Sequence, residues 1–131
     1  MYLTCPVCGG KLKKNESTYT CPLRHSFDIA KQGYVNLYMS SAKGKRHGDD
    51  KLMVRARTDF LSRGYYDGFS GEILRLCLKY ADENVSIIDA GCGEGKYTFD
   101  ILYGLRDAGK KPEIIGIDIS KFALQQAARR G

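Results

Sequence analysis

No run in this chain is long and apolar enough to span a membrane, and its first residues lack a signal-peptide pattern. That argues against a membrane-embedded or exported protein and makes the cytoplasm the expected compartment. No internal repeat is present, and 131 residues give a length prior of one domain. Acids are scarce at one end only. Residues 1–48 hold eight Lys and Arg against Glu16 and Asp28, whereas residues 49–131 hold thirteen of each sign. The whole excess of +6 therefore lies in the first third. Such a local excess suits a polyanionic partner such as RNA, and equally a merely solvated basic surface.

Two familiar endings are also missing from the chain's glycine-rich stretch. Val85 to Ile88 is a short apolar run that reads as a buried parallel strand, and it stops at Asp89. Gly91, Gly93 and Gly95 follow at alternate positions, and a helical pattern then runs through Lys96, Tyr97, Thr98, Phe99, Ile101 and Leu102. Strand, glycine turn and helix bring bare backbone N–H groups and a helix N-terminus up to a ligand. No G-K-[ST] follows, which excludes a triphosphate P-loop, and Lys96 stands where a dinucleotide fingerprint requires glycine. Asp89-x-Gly91-x-Gly93-x-Gly95 instead resembles the first motif of class I S-adenosylmethionine methyltransferases. Ile114 to Ile117 forms a second apolar strand ending in Asp118, an acid placed to accept the ribose hydroxyls of a bound nucleoside. An ordinary glycine turn with a capping aspartate is the plainer alternative.

Near the N-terminus, Cys5-Pro6-Val7-Cys8 and Cys21-Pro22-Leu23-Arg24-His25 form a C-x2-C-x12-C-x3-H pattern. Two close pairs of N/S ligands match a closed Cys3His zinc site. Disulfides are the competing use, but reduced cytosolic thiols make them the weaker one. With no open position the metal is expected to be structural, in a segment too short to bury a core. Cys77 and Cys92 are left over, and neither reads as a nucleophile.

Phe27, Ile29, Tyr34, Val35, Leu37 and Tyr38 alternate loosely and suggest extended chain beside the metal module. Three boundaries follow: a zinc-binding module over 1–38, a basic linker over 39–48, and an α/β portion over 49–131. Helices are expected from Asp49 or Asp50, with Leu52, Met53, Ala56 and Phe60 as a core stripe, and again through Phe69, Ile73, Leu76, Cys77 and Tyr80. Arg55, Arg57, Tyr65 and Tyr66 are the exposed candidates for touching cofactor or RNA. Gly104 should weaken or bend the helix after the glycine loop by about 1 kcal/mol relative to alanine. Two strands do not complete a doubly wound sheet, so the expected fold is a Rossmann-like α/β unit truncated after its second βα step. Homodimerisation is the other way to close such a sheet.

Cys5-Pro6-x-Cys8, the string from Tyr19 through Cys21, His25, Phe27-Asp28, Ala30-Lys31 and Gly33 to Leu37, Gly48-Asp49, and Asp89-x-Gly91-Cys92-Gly93-Glu94-Gly95-x-Tyr97-Thr98 together resemble the 23S ribosomal RNA guanine-N1 methyltransferases. The resemblance implies a zinc-binding domain ahead of a class I methyltransferase domain, and a guanine in an rRNA hairpin loop as target. One branch of that family confers macrolide resistance. It further implies Zn²⁺ on Cys5, Cys8, Cys21 and His25, and S-adenosylmethionine on Asp89, Gly91, Gly93, Gly95 and Asp118. Lys11, Lys13, Lys14, Arg24, Lys43, Lys45 and Arg46 are the residues expected to grip RNA phosphates. No catalytic residue can be named. A zinc RNA-binding module without catalysis, and a methyltransferase for a small molecule or protein, are the rival readings.

Overall fold

Where the chain has little to bury, it folds around two cysteines. The computed structural model describes residues 1–39 and 48–130, and the chain divides into two compact units, Met1–Arg46 and His47–Gly131. Lys43, Lys45 and Arg46 lie outside the described residues. In the first unit Cys5, Leu12 and Cys21 are the buried centre, with Leu3, Tyr19, Phe27 and Leu37 packed around them. Three short antiparallel strands carry these residues: β1 (Lys13–Lys14), β2 (Thr18–Thr20) and β3 (Ser26–Asp28). Tyr19 lies opposite Lys14 on one side and Phe27 on the other. After β3 the expected extended chain is reduced to a single bridge between Ile29 and Val35. A core of this size does not hold a fold without a covalent or metal staple.

The second unit begins with α1 (Lys51–Leu61), whose N-cap Asp50 accepts from the N–H groups of Leu52 and Met53 at 2.8 and 2.9 Å. This satisfies donors that the helix itself leaves free. It continues through α2 (Asp67–Tyr80), β4 (Asn84–Ala90), α3 (Lys96–Asp107), β5 (Lys111–Ile117) and α4 (Lys121–Ala127). The two strands are parallel and paired from Asn84–Lys111 to Ala90–Ile117. Parallel neighbours need a crossover, and α3 supplies it. Ser120 caps α4, accepting from the Ala123 N–H at 3.2 Å.

Burial departs from expectation in two places. β4 alternates, with Val85, Ile87 and Asp89 half-buried while Ile88 is 62% exposed. A parallel strand is buried on both faces only when both are covered by helices, and among the described residues one face of β4 is open. The predicted stripe of α1 also faces outward, since Leu52, Met53, Ala56 and Phe60 are exposed and Val54 and Leu61 are the buried pair. Phe69, Leu76 and Tyr80 of α2 are exposed as well, leaving Ser70 buried and Ile73 and Cys77 half-buried. Helical period identifies a face; it does not say which neighbour arrives to cover it.

Gly104 has a packing role instead of a merely weakening one. α3 runs unbroken through it, and a Cβ there would lie 2.8 Å from Leu74 Cδ1 and 3.0 Å from Leu74 Cγ. The missing side chain lets α2 approach α3. Alanine would gain about 1 kcal/mol of helix propensity but cost roughly 1–3 kcal/mol in overpacking. Gly104→Ala should therefore lower Tm, and the penalty should vanish in a Leu74→Ala background. A Tm that rises in the single variant would contradict the packing role.

Candidate zinc centre and nucleoside-binding loop

Both metal-binding turns are built by backbone bonds that fold the chain onto itself. In the first, the Gly9 N–H donates to Cys5 O and the Cys5 N–H to Gly10 O, each at 2.8 Å. In the second, the Arg24 N–H donates to Cys21 O at 2.9 Å and the Cys21 N–H to His25 O at 3.1 Å. Each turn needs a left-handed residue. Gly9 takes φ 71° easily, while Arg24 adopts φ 63° despite its Cβ, a strain of about 1–2 kcal/mol. Metal coordination holding Cys21 and His25 is the natural compensation.

Those turns bring four ligand atoms together. Cys8 and Cys21 sulfurs are 3.6 Å apart, and His25 Nδ1 is 3.6 Å from Cys5 Sγ and 3.3 Å from Cys21 Sγ. All four lie within 4.8 Å of one another. A tetrahedron with Zn–S near 2.3 Å and Zn–N near 2.0–2.1 Å has edges of about 3.5–3.8 Å. The cluster fits zinc, and Nδ1 is the His25 nitrogen turned to the sulfurs, a detail that spacing does not reveal. Burial raises the Cys5 thiol, but N–H groups of Val7 and Cys8 and the neighbouring thiols outweigh it and bring it to about 7. For Cys8 a bond from the Gly10 backbone lowers the thiol, but burial and the neighbouring Cys5 and Cys21 outweigh it and push it up; sulfurs crowded together in this way suit a shared cation.

Around the cluster, Lys11, Lys13, Lys14 and Arg24 are exposed. Lys11 Nζ sits 4.7 Å from the Tyr2 ring centroid. Lys13 and Lys14 are consecutive strand residues and so point to opposite faces; the expected cations do not all share one surface.

The glycine loop of the second unit lies between the tip of β4 and α3. Gly91, Gly93 and Gly95 have φ of 87°, 57° and 86°, values that a side chain strongly disfavours. A Cβ on Gly91 would meet nothing within 4 Å, and one on Gly93 would meet only Arg57 Nη1, at 4.0 Å. Gly95 differs, because its Cβ would come within 3.0 Å of Ala127 Cβ. The first two glycines thus border open space and the third permits close packing of α4.

Its position is set by the end of β5. The N–H groups of Gly91 and Cys92 both donate to Ile117 O, at 2.8 and 3.0 Å. Gly93 N–H donates to Asp118 Oδ2 at 2.9 Å, and Asp118 Oδ1 accepts from Ser120 N–H at 2.7 Å. Asp118 therefore faces the loop, with one bond to it already made. Asp89 is turned to α3, where Thr98 Oγ1 donates to its Oδ2 at 2.5 Å. Glu94, 2% exposed, accepts from the Lys96 N–H at 3.0 Å and is ion-paired with Arg130. Its carboxylate does the capping that glycine at the N-cap of α3 cannot. Neither Glu94 nor Arg130 was legible as part of the site, since they are 36 residues apart and joined only by the fold.

These features place the chain among known proteins. Residues 3–45 match the zinc-ribbon family described as "RlmA, N-terminal", and residues 81–131 match a family described as "Methyltransferase domain". A putative 23S rRNA (guanine-N(1)-)-methyltransferase of Micromonospora griseorubida is 34% identical, covering 98% of this chain and 48% of that protein. The 23S rRNA (guanine(748)-N(1))-methyltransferase of Streptomyces fradiae is 33% identical over 98% of this chain and 44% of its own length. A putative homologue from Bacillus subtilis strain 168 is 31% identical over 95% and 45% respectively. Over nearly its whole length the chain is similar to 23S rRNA (guanine-N1) methyltransferases. It spans about half the length of the curated relatives it matches.

The zinc-ribbon match with its Cys3His cluster and the methyltransferase-domain match support Zn²⁺ and S-adenosylmethionine as cofactors. The loop fits the latter on its own geometry: two glycines open to space where a Cβ would intrude, a helix N-terminus behind them, and an acid at the second strand tip. No helix among the described residues is long and apolar enough to cross a membrane.

Two outcomes follow. Stripping zinc with a chelator should unfold β1–β3 and leave β4 and β5 intact by amide NMR; retained dispersion for Leu12, Tyr19 and Phe27 would contradict a structural metal. Cys92 is buried, and burial with the nearby Asp89 and Asp118 charges pushes its thiol up to about 11. An acid with a raised pKa stays protonated at neutral pH, so alkylation of Cys92 in folded protein should be negligible at pH 7.5 and rise only in strong alkali. Rapid labelling at pH 7.5 would mean that the thiol is accessible and ionised.

Proposed function

We propose that this chain is the zinc-binding and cofactor-binding portion of an S-adenosylmethionine-dependent methyltransferase acting on N1 of a guanine in a 23S rRNA hairpin loop. The observation carrying this reading is the loop Gly91–Gly95, which holds three left-handed glycines and is tied through Gly91 and Cys92 to the tip of β5 and through Gly93 to Asp118. Bound there, the cofactor supplies a sulfonium-activated methyl group. The loop backbone and the start of α3 would enclose its methionine portion, and the free lone pairs of Asp118 would accept the ribose hydroxyls. Asp89 acts at one remove, fixing α3 through Thr98.

Guanine N1 carries a proton on the Watson–Crick edge, reachable only in a loop or after the base leaves its stack. Much of the acceleration would come from holding that nitrogen in line with the methyl. We assign RNA contacts to the zinc module of residues 1–38 and the basic linker of 39–48, through Lys11, Lys13, Lys14 and Arg24 and through Lys43, Lys45 and Arg46. Such contacts anchor phosphates without reading bases. The compartment is the cytoplasm, where ribosomal RNA and reduced thiols coexist.

Calorimetry with S-adenosylhomocysteine tests this directly. The chain should bind it, and Asp118→Ala should weaken binding about 10- to 100-fold, the scale of hydrogen bonds to a charged group. Salt-sensitive binding of a 23S hairpin with no affinity for the nucleoside would favour the RNA-binding module without catalysis.

A further inference from the structure

A nucleoside amino acid bound at this loop brings a carboxylate, and that group needs a cation. Three basic side chains surround the loop. Lys96 is 19% exposed and already binds two acids, Asp100 at 2.6 Å and Asp67 at 3.1 Å. Arg130 is 27% exposed and committed to the buried Glu94. Arg57 alone of the three is half open, with 52% of its side chain exposed and one ion pair, to Asp49 Oδ2 at 2.9 Å. Its Nη1 is also the atom that a Cβ on Gly93 would meet first, at 4.0 Å.

We infer that Arg57 binds the α-carboxylate of the cofactor's methionine portion, and that Asp49 is its positioning residue. A guanidinium presents five donors in a planar fork, so one edge can hold Asp49 while another meets a ligand carboxylate. The support behind Asp49 is rigid. Its carbonyl oxygen accepts from Ser120 Oγ at 2.6 Å, and Ser120 is 1% exposed. Gly48, at φ 77°, is pressed there as well: a Cβ on it would lie 2.9 Å from the Ser120 backbone nitrogen. One hydroxyl thus ties the start of α1 to the cap of α4, two residues beyond Asp118. Gly48-Asp49 and Arg57, distant in sequence from the glycine loop, become part of the same crevice. Local charge supports the assignment, because Asp89 and Asp118 beside the loop would otherwise make it a poor host for a carboxylate.

The inference rests on the cofactor reading above, and two ligands separate them. S-adenosylhomocysteine carries the carboxylate; 5′-methylthioadenosine has the same nucleoside thioether without the amino acid. In calorimetry, Arg57→Ala should weaken S-adenosylhomocysteine about 10- to 100-fold and leave 5′-methylthioadenosine unchanged, with Arg57→Lys recovering part of the loss. Equal weakening of both ligands would make Arg57 a structural residue only and overturn the inference. So would unchanged binding of the first ligand. If the unaltered chain binds neither ligand, the cofactor reading fails and this one fails with it.

Discussion

A single carbonyl, that of Ile117, receives two backbone N–H groups from the glycine loop, and the geometry of the second unit depends on that junction. It binds the turn after β4 to the tip of β5. Gly116 makes the junction possible, because a Cβ there would fall 3.0 Å from the sulfur of Cys92. Cys92 is a small filler wedged between loop and strand, which explains both its burial and its inertness. Asp118 then adds a charge-assisted bond to the same loop. A ligand entering this crevice meets a shaped backbone and a carboxylate acceptor already in place, the preorganisation that makes binding energy available for positioning.

The zinc unit solves the opposite problem. It has almost no hydrophobic interior, and two of its three buried core residues belong to the Cys3His cluster that could hold a metal. Folding and metal binding would then be the same event. Arg24 shows the coupling most clearly, since a residue with a Cβ is held in the left-handed region by ligands on either side of it. The charge of that side chain and the strain of its backbone are separate properties of one position.

How far these features could be read from residues alone depended on whether they were local. Cys5-x2-Cys8 and Cys21-x3-His25 were legible because each pair sits within one turn, and β4, the glycine turn, α3 and β5 were legible because each carries its own local pattern. What escaped was whatever two distant segments make together. The stripe of Leu52, Met53, Ala56 and Phe60 has correct helical spacing, yet its face is set by which side α4 contacts. Gly104 read as a weak point because Leu74 was not in view. The Glu94–Arg130 pair and the Asp49–Ser120 link join residues 36 and 71 positions apart, and no local pattern announces them.

The most direct examination of the central claim is amide chemical-shift mapping of the zinc-loaded chain during titration with S-adenosylhomocysteine. The account predicts shifts concentrated at Gly91, Gly93, Gly95 and Asp118 and at the Asp49–Arg57 segment, with Cys5 to His25 unmoved. Saturation that leaves the Gly91–Gly95 amides in place, or perturbs the zinc turns instead, would contradict it.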